Sequence, residues 1–301
     1  MLNLRRGVIG MVAVLLVNGA ALAQTSVPTE IAEWRVEANA GDASSQWLLG
    51  YYYSNGQGVP QDYAEAASWY REAADQGYAA AQYNLGLMYE LGQGVPQDYA
   101  EAASWYRKAA DQGHAIAQNN LAVMHGAGQG VPQDYAQGVS WWRKAAEQGH
   151  ADAQFNLGLM YELGQSVPQD DAQAVTWYRQ AAEQGNAFAQ FNLGYAYANG
   201  QGVPQDFVQA AAWSLKAAEQ GDADAQYHLA RMYGAGWGVP QDYVEAFKWR
   251  NLATSRADAE NQKSYAEARD ALAAMMTRAQ LVEAQRRARE WVAAFEQRGG
   301  T

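Results

Sequence analysis

The chain has 301 residues, is 49% hydrophobic, contains no cysteine and carries a formal net charge of −11. The acidic balance excludes a nucleic-acid or anionic-membrane surface, which needs clustered Lys and Arg. The missing cysteines exclude disulfides and thiolate metal sites, so the fold must rest on packing alone.

In chain order, the first element is an export signal. Arg5 and Arg6 form a positive start, Val8 to Val17 an apolar run, and Ala21-Leu22-Ala23 the small-x-small pattern of a cleavage site. The run is shorter than the roughly 20 residues of a membrane span. Cleavage after Ala23 is therefore expected, with Gln24 as the new N-terminus, no membrane insertion afterwards, and a periplasmic or secreted protein. Without the two arginines the balance is 19 basic against 32 acidic residues, or −13. Residues 24–42 read as a linker and capping half-repeat, in which Trp34 and Gly41 resemble a shortened second helix one residue out of register.

From residue 43 the chain repeats. Gly-Val-Pro-Gln-Asp or a near copy recurs at Val59, Val95, Val131, Val167, Val203 and Val239, a constant step of 36 residues. Self-similarity at such a period is the signature of a solenoid. The units run 43–78, 79–114, 115–150, 151–186, 187–222 and 223–258. In the second, Ala79, Ala81, Leu85 and Met88 share one face of a helix. Gly86 beside Leu85 lets a neighbouring helix approach. Gly92 and Gly94 end the helix, and Pro96 prevents its continuation. Asp98 caps the second helix, with Glu101 three residues on in a capping-box pattern, repeated as Asp62/Glu65, Asp134/Gln137, Asp170/Gln173, Asp206/Gln209 and Asp242/Glu245. Ala102, Trp105 and Ala109 form its inner stripe, and Gly113 stops it. Two helices of this length cannot bury both apolar faces alone and must stack on the next pair.

Beyond residue 258 the pattern degrades into a cap, 259–301. Ala257 replaces the stop glycine, and Ala259–Met276 reads as a degenerate first helix. Thr277 and Gln280 form another capping box. Leu281, Ala284, Ala288, Trp291 and Phe295 line one face of a last helix whose other face is charged.

The unit Ala151-Asp152-Ala153-Gln154, Leu157-Gly158, Tyr161, Val167, Asp170, Ala174, Trp177, Ala181-Ala182, Gly185 resembles the Sel1-like repeat, a relative of the tetratricopeptide repeat. The resemblance covers 43–258, with local departures at Ser166, Asp171, His125, Ala122 and Ala230. It implies an all-α, right-handed α/α solenoid of six helix-turn-helix units with terminal capping helices. It also implies scaffolding rather than chemistry. Exported bacterial members resemble adaptors in exopolysaccharide secretion, regulators of sensor kinases, or factors that engage host proteins.

Residues that differ among near-identical units are the candidates for a ligand surface. On the first helix they fall at the second, fifth, ninth and twelfth positions, one stripe that such solenoids turn to their concave side. The expected binding residues are Trp47, Tyr51, Tyr83, Phe155, Phe188, Phe191, Tyr195 and Tyr227. Beside them runs a ladder of Asn84, Asn120, Asn156 and Asn192, whose amides can donate to and accept from an extended backbone. The bland alternative is that the aromatics pack between units and the Asn side chains bond to a neighbouring helix. The expected partner is a protein or peptide. No cofactor, metal or catalytic residue is expected: there is no HExxH and no phosphate-binding loop. His114 and His150 read as solvated loop residues, and the repeated Trp at 69, 105, 141, 177, 213 and 249 as core. A carbohydrate-binding module and a penicillin-hydrolysing enzyme are the competing functions. Against the latter, the chain has neither the cysteines of such Sel1 relatives nor a Ser-x-x-Lys motif.

Overall fold

The computed structural model describes residues 27–300, so the expected export signal lies outside the described residues. Fifteen helices and no strand are found among them. The fold is an α/α solenoid, whose chain divides into two compact units, 1–156 and 157–301.

The first unit holds α1 (Val27–Asn39), α2 (Ala43–Asn55), α3 (Tyr63–Asp75), α4 (Ala79–Leu91), α5 (Tyr99–Asp111), α6 (Ala115–Ala127), α7 (Tyr135–Glu147) and the start of α8 (Ala151–Leu163). Within this unit the two helices of each complete repeat pack most extensively on each other, and α3 and α5 then pack on the first helix of the next repeat, α4 and α6. Ala66, Ala67, Ala73, Ala74 and Ala81 are buried between helices, with Leu85, Tyr70 and Trp105 filling the space they leave. Alanine keeps helix propensity high while allowing close approach.

The glycines work at identifiable atoms. A Cβ on Gly86 would lie 2.8 Å from the Tyr106 ring, so the ring lies directly on the helix backbone. Gly92 has φ 68° and returns its N–H to the Met88 carbonyl, ending α4. The loop then folds back. Gln97 donates to the Glu90 carbonyl at 2.8 Å, and the Asp98 N–H donates to the Tyr89 carbonyl at 2.9 Å. This last bond corrects the capping-box expectation. Asp98 caps α5 by accepting from Ala100 and Glu101. Its own N–H, however, is already held by the preceding helix, so Glu101 has no donor to reach back for. The same arrangement holds at Asp62, Asp134, Asp170, Asp206 and Asp242. The full reciprocal box forms at Thr277 and Gln280.

Helix α1 is in full register rather than one residue out. It spans the range of α3 less one repeat, its Ala38 carbonyl accepts from Gln46 as Ala74 accepts from Gln82, and Arg35 bonds the Tyr53 hydroxyl as Arg71 bonds that of Tyr89. Trp34 therefore stands where Tyr70 stands, not where Trp69 does.

The second unit contains the rest of α8 and then α9 (Asp171–Glu183), α10 (Ala187–Asn199), α11 (Phe207–Glu219), α12 (Ala223–Ala235), α13 (Tyr243–Arg256), α14 (Gln262–Ala273) and α15 (Arg278–Gln297). With Ala257 in extended conformation instead of a left-handed glycine, α13 runs on to Arg256. Helix α15 closes the stack: Ala284, Ala288 and Phe295 are buried, and Trp291 meets Trp249 edge-on at 5.9 Å. Arg287 ties it to α13 through Glu245 at 2.8 Å.

Candidate functional site

Two constant ladders join successive repeats and define what surface is left. In the first, buried Gln82 donates to the Ala74 carbonyl of the preceding repeat at 3.1 Å and accepts from Gln112 at 2.7 Å. Gln46, Gln118 and Gln190 repeat both bonds. At Gln226 the ladder stops. Arg256 replaces the expected donor and turns to Trp291 and Phe295, leaving the Gln226 Oε1 buried without a partner. In the second ladder an Arg of one repeat reaches the first helix of the next, as in Arg71 to Tyr89 at 2.5 Å and Arg179 to Tyr197 at 2.9 Å.

The Asn ladder faces the same repeat boundaries. Asn84 lies beside the Tyr70 hydroxyl, Asn120 beside that of Tyr106 and Asn192 beside that of Tyr178, and each opposes in part the rise that burial gives the tyrosine pKa. The same hydroxyl contacts the twelfth residue of its own repeat's first helix: Tyr106 donates to Glu90 and Tyr178 to Glu162, each at 2.5 Å, and Ser54 lies 3.3 Å from Tyr70. Burial and the adjacent carboxylate push the Tyr106 and Tyr178 hydroxyls well above the ordinary tyrosine range. Where Trp142 replaces the tyrosine, Gly126 replaces the glutamate, and Asn156 instead lies buried with its amide 3.5 Å from Asn119 Oδ1. One repeat beyond Asn192 the ladder position is His228, which meets Ser214, the residue in the tyrosine position, at 3.0 Å. Ser214 is fully buried, so this Ser–His contact is a packing pair and no nucleophile is presented.

The aromatics of the stripe fall into separate groups. In the first unit Trp47 lies 6.2 Å from Tyr51 and 5.9 Å from Tyr78. Tyr83 is stacked on His114 at 4.9 Å and on Tyr106 at 5.8 Å, and Phe155 is buried. In the second unit Phe188 and Tyr195 are exposed, by 51% and 44%. Phe191 and Tyr195 both approach the His228 ring, at 6.2 and 6.0 Å. Tyr227 is covered by Tyr265, stacked at 4.1 Å, and by the Arg250 guanidinium at 5.8 Å.

The repeated tryptophans are buried or half-buried. Lys108 sits 3.5 Å from the Trp105 ring centroid, and Lys144, Lys216 and Lys248 cover Trp141, Trp213 and Trp249 in the same way. His114 and His150 are not solvated loop residues. They are half-buried first-helix N-caps, each Nδ1 accepting from a backbone N–H at 3.2 and 3.3 Å. Burial lowers both pKa values, as an accepting imidazole requires. Among the described residues no group of acids and histidines could hold a metal, and no helix is long and apolar enough to cross a membrane.

A family model described as the Sel1 repeat matches six consecutive segments, 43–78, 79–114, 115–150, 151–186, 187–222 and 223–258. The chain belongs to the Sel1 repeat family. Among solved structures it is similar to a Sel1 repeat protein from Oxalobacter formigenes, 33% identical with a TM-score of 0.65, covering 77% of this chain and 97% of that one. It is also similar to c5321, a protective antigen of uropathogenic Escherichia coli displaying an SLR fold, 31% identical with a TM-score of 0.40, covering 88% of this chain and 72% of that one. No curated protein matches the chain. Sel1 repeat solenoids are in general scaffolds for protein–protein interaction. Here the ninth-position side chains Tyr195 and Arg231 are exposed, whereas Leu159, the ninth residue of α8, is buried.

Proposed function

We propose that this Sel1 protein is an exported interaction scaffold that binds a protein or peptide partner on the first-helix face of its repeats and performs no chemistry. The observation that carries the reading is the pair of exposed aromatics on the first helix α10, Phe188 and Tyr195, in a fold that buries or half-buries most of its other aromatics. A large exposed apolar side chain on a regular, rigid surface is a ready anchor for a partner. The signal-like residues 1–23 support export to the periplasm or beyond, and the net charge favours neither nucleic acid nor an anionic membrane.

The Asn ladder is a poor place to test this, because Asn120 faces the buried Tyr106 at a repeat boundary and Asn156 is itself buried. The test uses a photo-crosslinking residue in place of Tyr195, compared in the native cell with one in place of Val208, exposed on the second helix of the same repeat. The reading expects a defined partner linked from position 195 and not from 208. A partner linked from 208 alone would place the working surface on the second helices instead.

A further inference from the structure

Around Tyr195 the second unit carries more than an apolar anchor. Arg231 stands one repeat beyond Tyr195, at the same ninth position of the next first helix, and is exposed. Its guanidinium lies 5.9 Å from the ring of Trp237, itself 43% exposed and stacked on Phe207 at 5.6 Å. Arg250, at the tyrosine position of α13, lies 5.8 Å from the Tyr227 ring. It bonds the Ala268 carbonyl and leaves its Nε buried with no hydrogen-bond partner. Neither arginine makes an ion pair among the described residues. The acid of the same first helix, Asp224, is engaged by the Tyr265 hydroxyl at 2.5 Å. Burial first, and then the charge of Arg231, lower the pKa of both His228 and Arg250.

In a chain of net charge −11, two neighbouring unneutralised guanidiniums beside an aromatic surface are a local exception. Arginine over exposed aromatic rings recognises carboxylates, and it discriminates best where the surrounding surface repels them. Tyr195 lies 6.0 Å from the His228 ring, and Arg231 follows His228 by about one helical turn, roughly 5 Å. An extended chain advancing about 3.3 Å per residue covers that step in about three residues.

We propose that Phe191, Tyr195 and Arg231 form a docking subsite for an extended acidic peptide segment. A large apolar side chain rests against Phe191 and Tyr195, and an Asp or Glu about three residues away pairs with Arg231. The subsite gives a partner chemistry to the scaffold reading above and rests on it.

The probe is a library of short random peptides displayed on phage and selected against the mature full-length chain. The selected peptides are then synthesised with the acid intact and as its amide, and binding is followed by fluorescence anisotropy. The expected enrichment is a large apolar residue with Asp or Glu about three positions away. Acid-to-amide exchange and Arg231→Gln should each weaken binding about tenfold, with little further loss when combined. Tyr195→Ala should weaken acid and amide peptides alike. Both variants alter exposed side chains, and an unchanged thermal transition checks their folding. Peptides enriched without an acid, or bound equally by Arg231→Gln, overturn the subsite and leave the scaffold reading standing. A library from which nothing is enriched likewise overturns the subsite, while the crosslinking from position 195 decides the scaffold reading separately.

Discussion

Replacing Gln118 by alanine tests the junction chemistry inside the Sel1 stack. Gln118 is buried between the second and third repeats, donates to the Ala110 carbonyl at 3.0 Å and accepts from Gln148 at 2.7 Å. Two hydrogen bonds, one buried and one part-buried, at roughly 1 kcal/mol each, with about 0.8 kcal/mol for the lost methylene, give a cost of about 3 kcal/mol. Gln226 supplies the control within the same chain. It is equally buried but makes only the bond to Ala218, at 3.1 Å, and its Oε1 already lacks a partner. Gln226→Ala should therefore cost about 1 kcal/mol, the loss of one bond and a methylene being offset by removal of an unsatisfied oxygen. Urea unfolding followed by circular dichroism, with hydrogen exchange to localise the opening, measures both. A cycle with Gln148→Ala should return a coupling of about 1 kcal/mol. Equal losses at 118 and 226, or no coupling to 148, would refute the ladder as a source of stability.

Acidification makes a second expectation. Burial and then Arg231 lower the His228 pKa to about 4, and burial lowers His114, His125 and His150 in the same direction. A histidine depressed in the folded state contributes stability that is complete above its unfolded value of about 6.5 and is lost as pH falls towards the folded value. Between pH 7 and 5 the His228 share of that loss is about 2 kcal/mol, and His228→Asn, which restores the ladder residue, should remove it in urea melts at the two pH values. Gly86→Ala places a Cβ 2.8 Å from the buried Tyr106 ring, whose hydroxyl is held by Glu90, and should cost about 1 kcal/mol or more despite its gain in helix propensity. At Gly234 a Cβ would meet the Ala246 side chain at 3.8 Å, so Gly234→Ala should instead raise stability by about 0.5–1 kcal/mol in the same melts. N-terminal sequencing of the protein from the native host should begin at Gln24 if residues 1–23 are an export signal; an intact N-terminus would oppose export by cleavage.

The repeat step, helix order, Asp caps and terminal capping helix were all legible in the sequence, because each rests on a local signal that recurs: glycine with positive φ at the stop, Asp before the second helix, alanine on the packed faces. What misled was variation. The twelfth position changes from Ser54 to Glu90 to Gly126 to Glu162, which looks like freedom. It is matching, since the residue it meets changes from Tyr70 to Tyr106 to Trp142 to Tyr178. The constant Gln82 and its copies were hidden for the opposite reason: an invariant residue in a repeat looks like part of the helix rather than a bond to the next one. The capping boxes failed because nothing in the sequence shows that the loop returns the Asp98 N–H to Tyr89. The apparent slip of α1 came from aligning Trp34 with Trp69, when its role is that of Tyr70. His228 and Arg231 could have been found by adding one repeat to Asn192 and Tyr195.

The working surface is tested most directly by hydrogen exchange on the mature chain, free and bound to the partner linked at position 195. The account predicts slowed exchange in α10 and α12, the first helices that carry Phe188, Tyr195 and Arg231, with α11 and α15 unchanged. Protection confined to α11 or α15 would contradict it and move the binding surface to the second helices or the terminal cap.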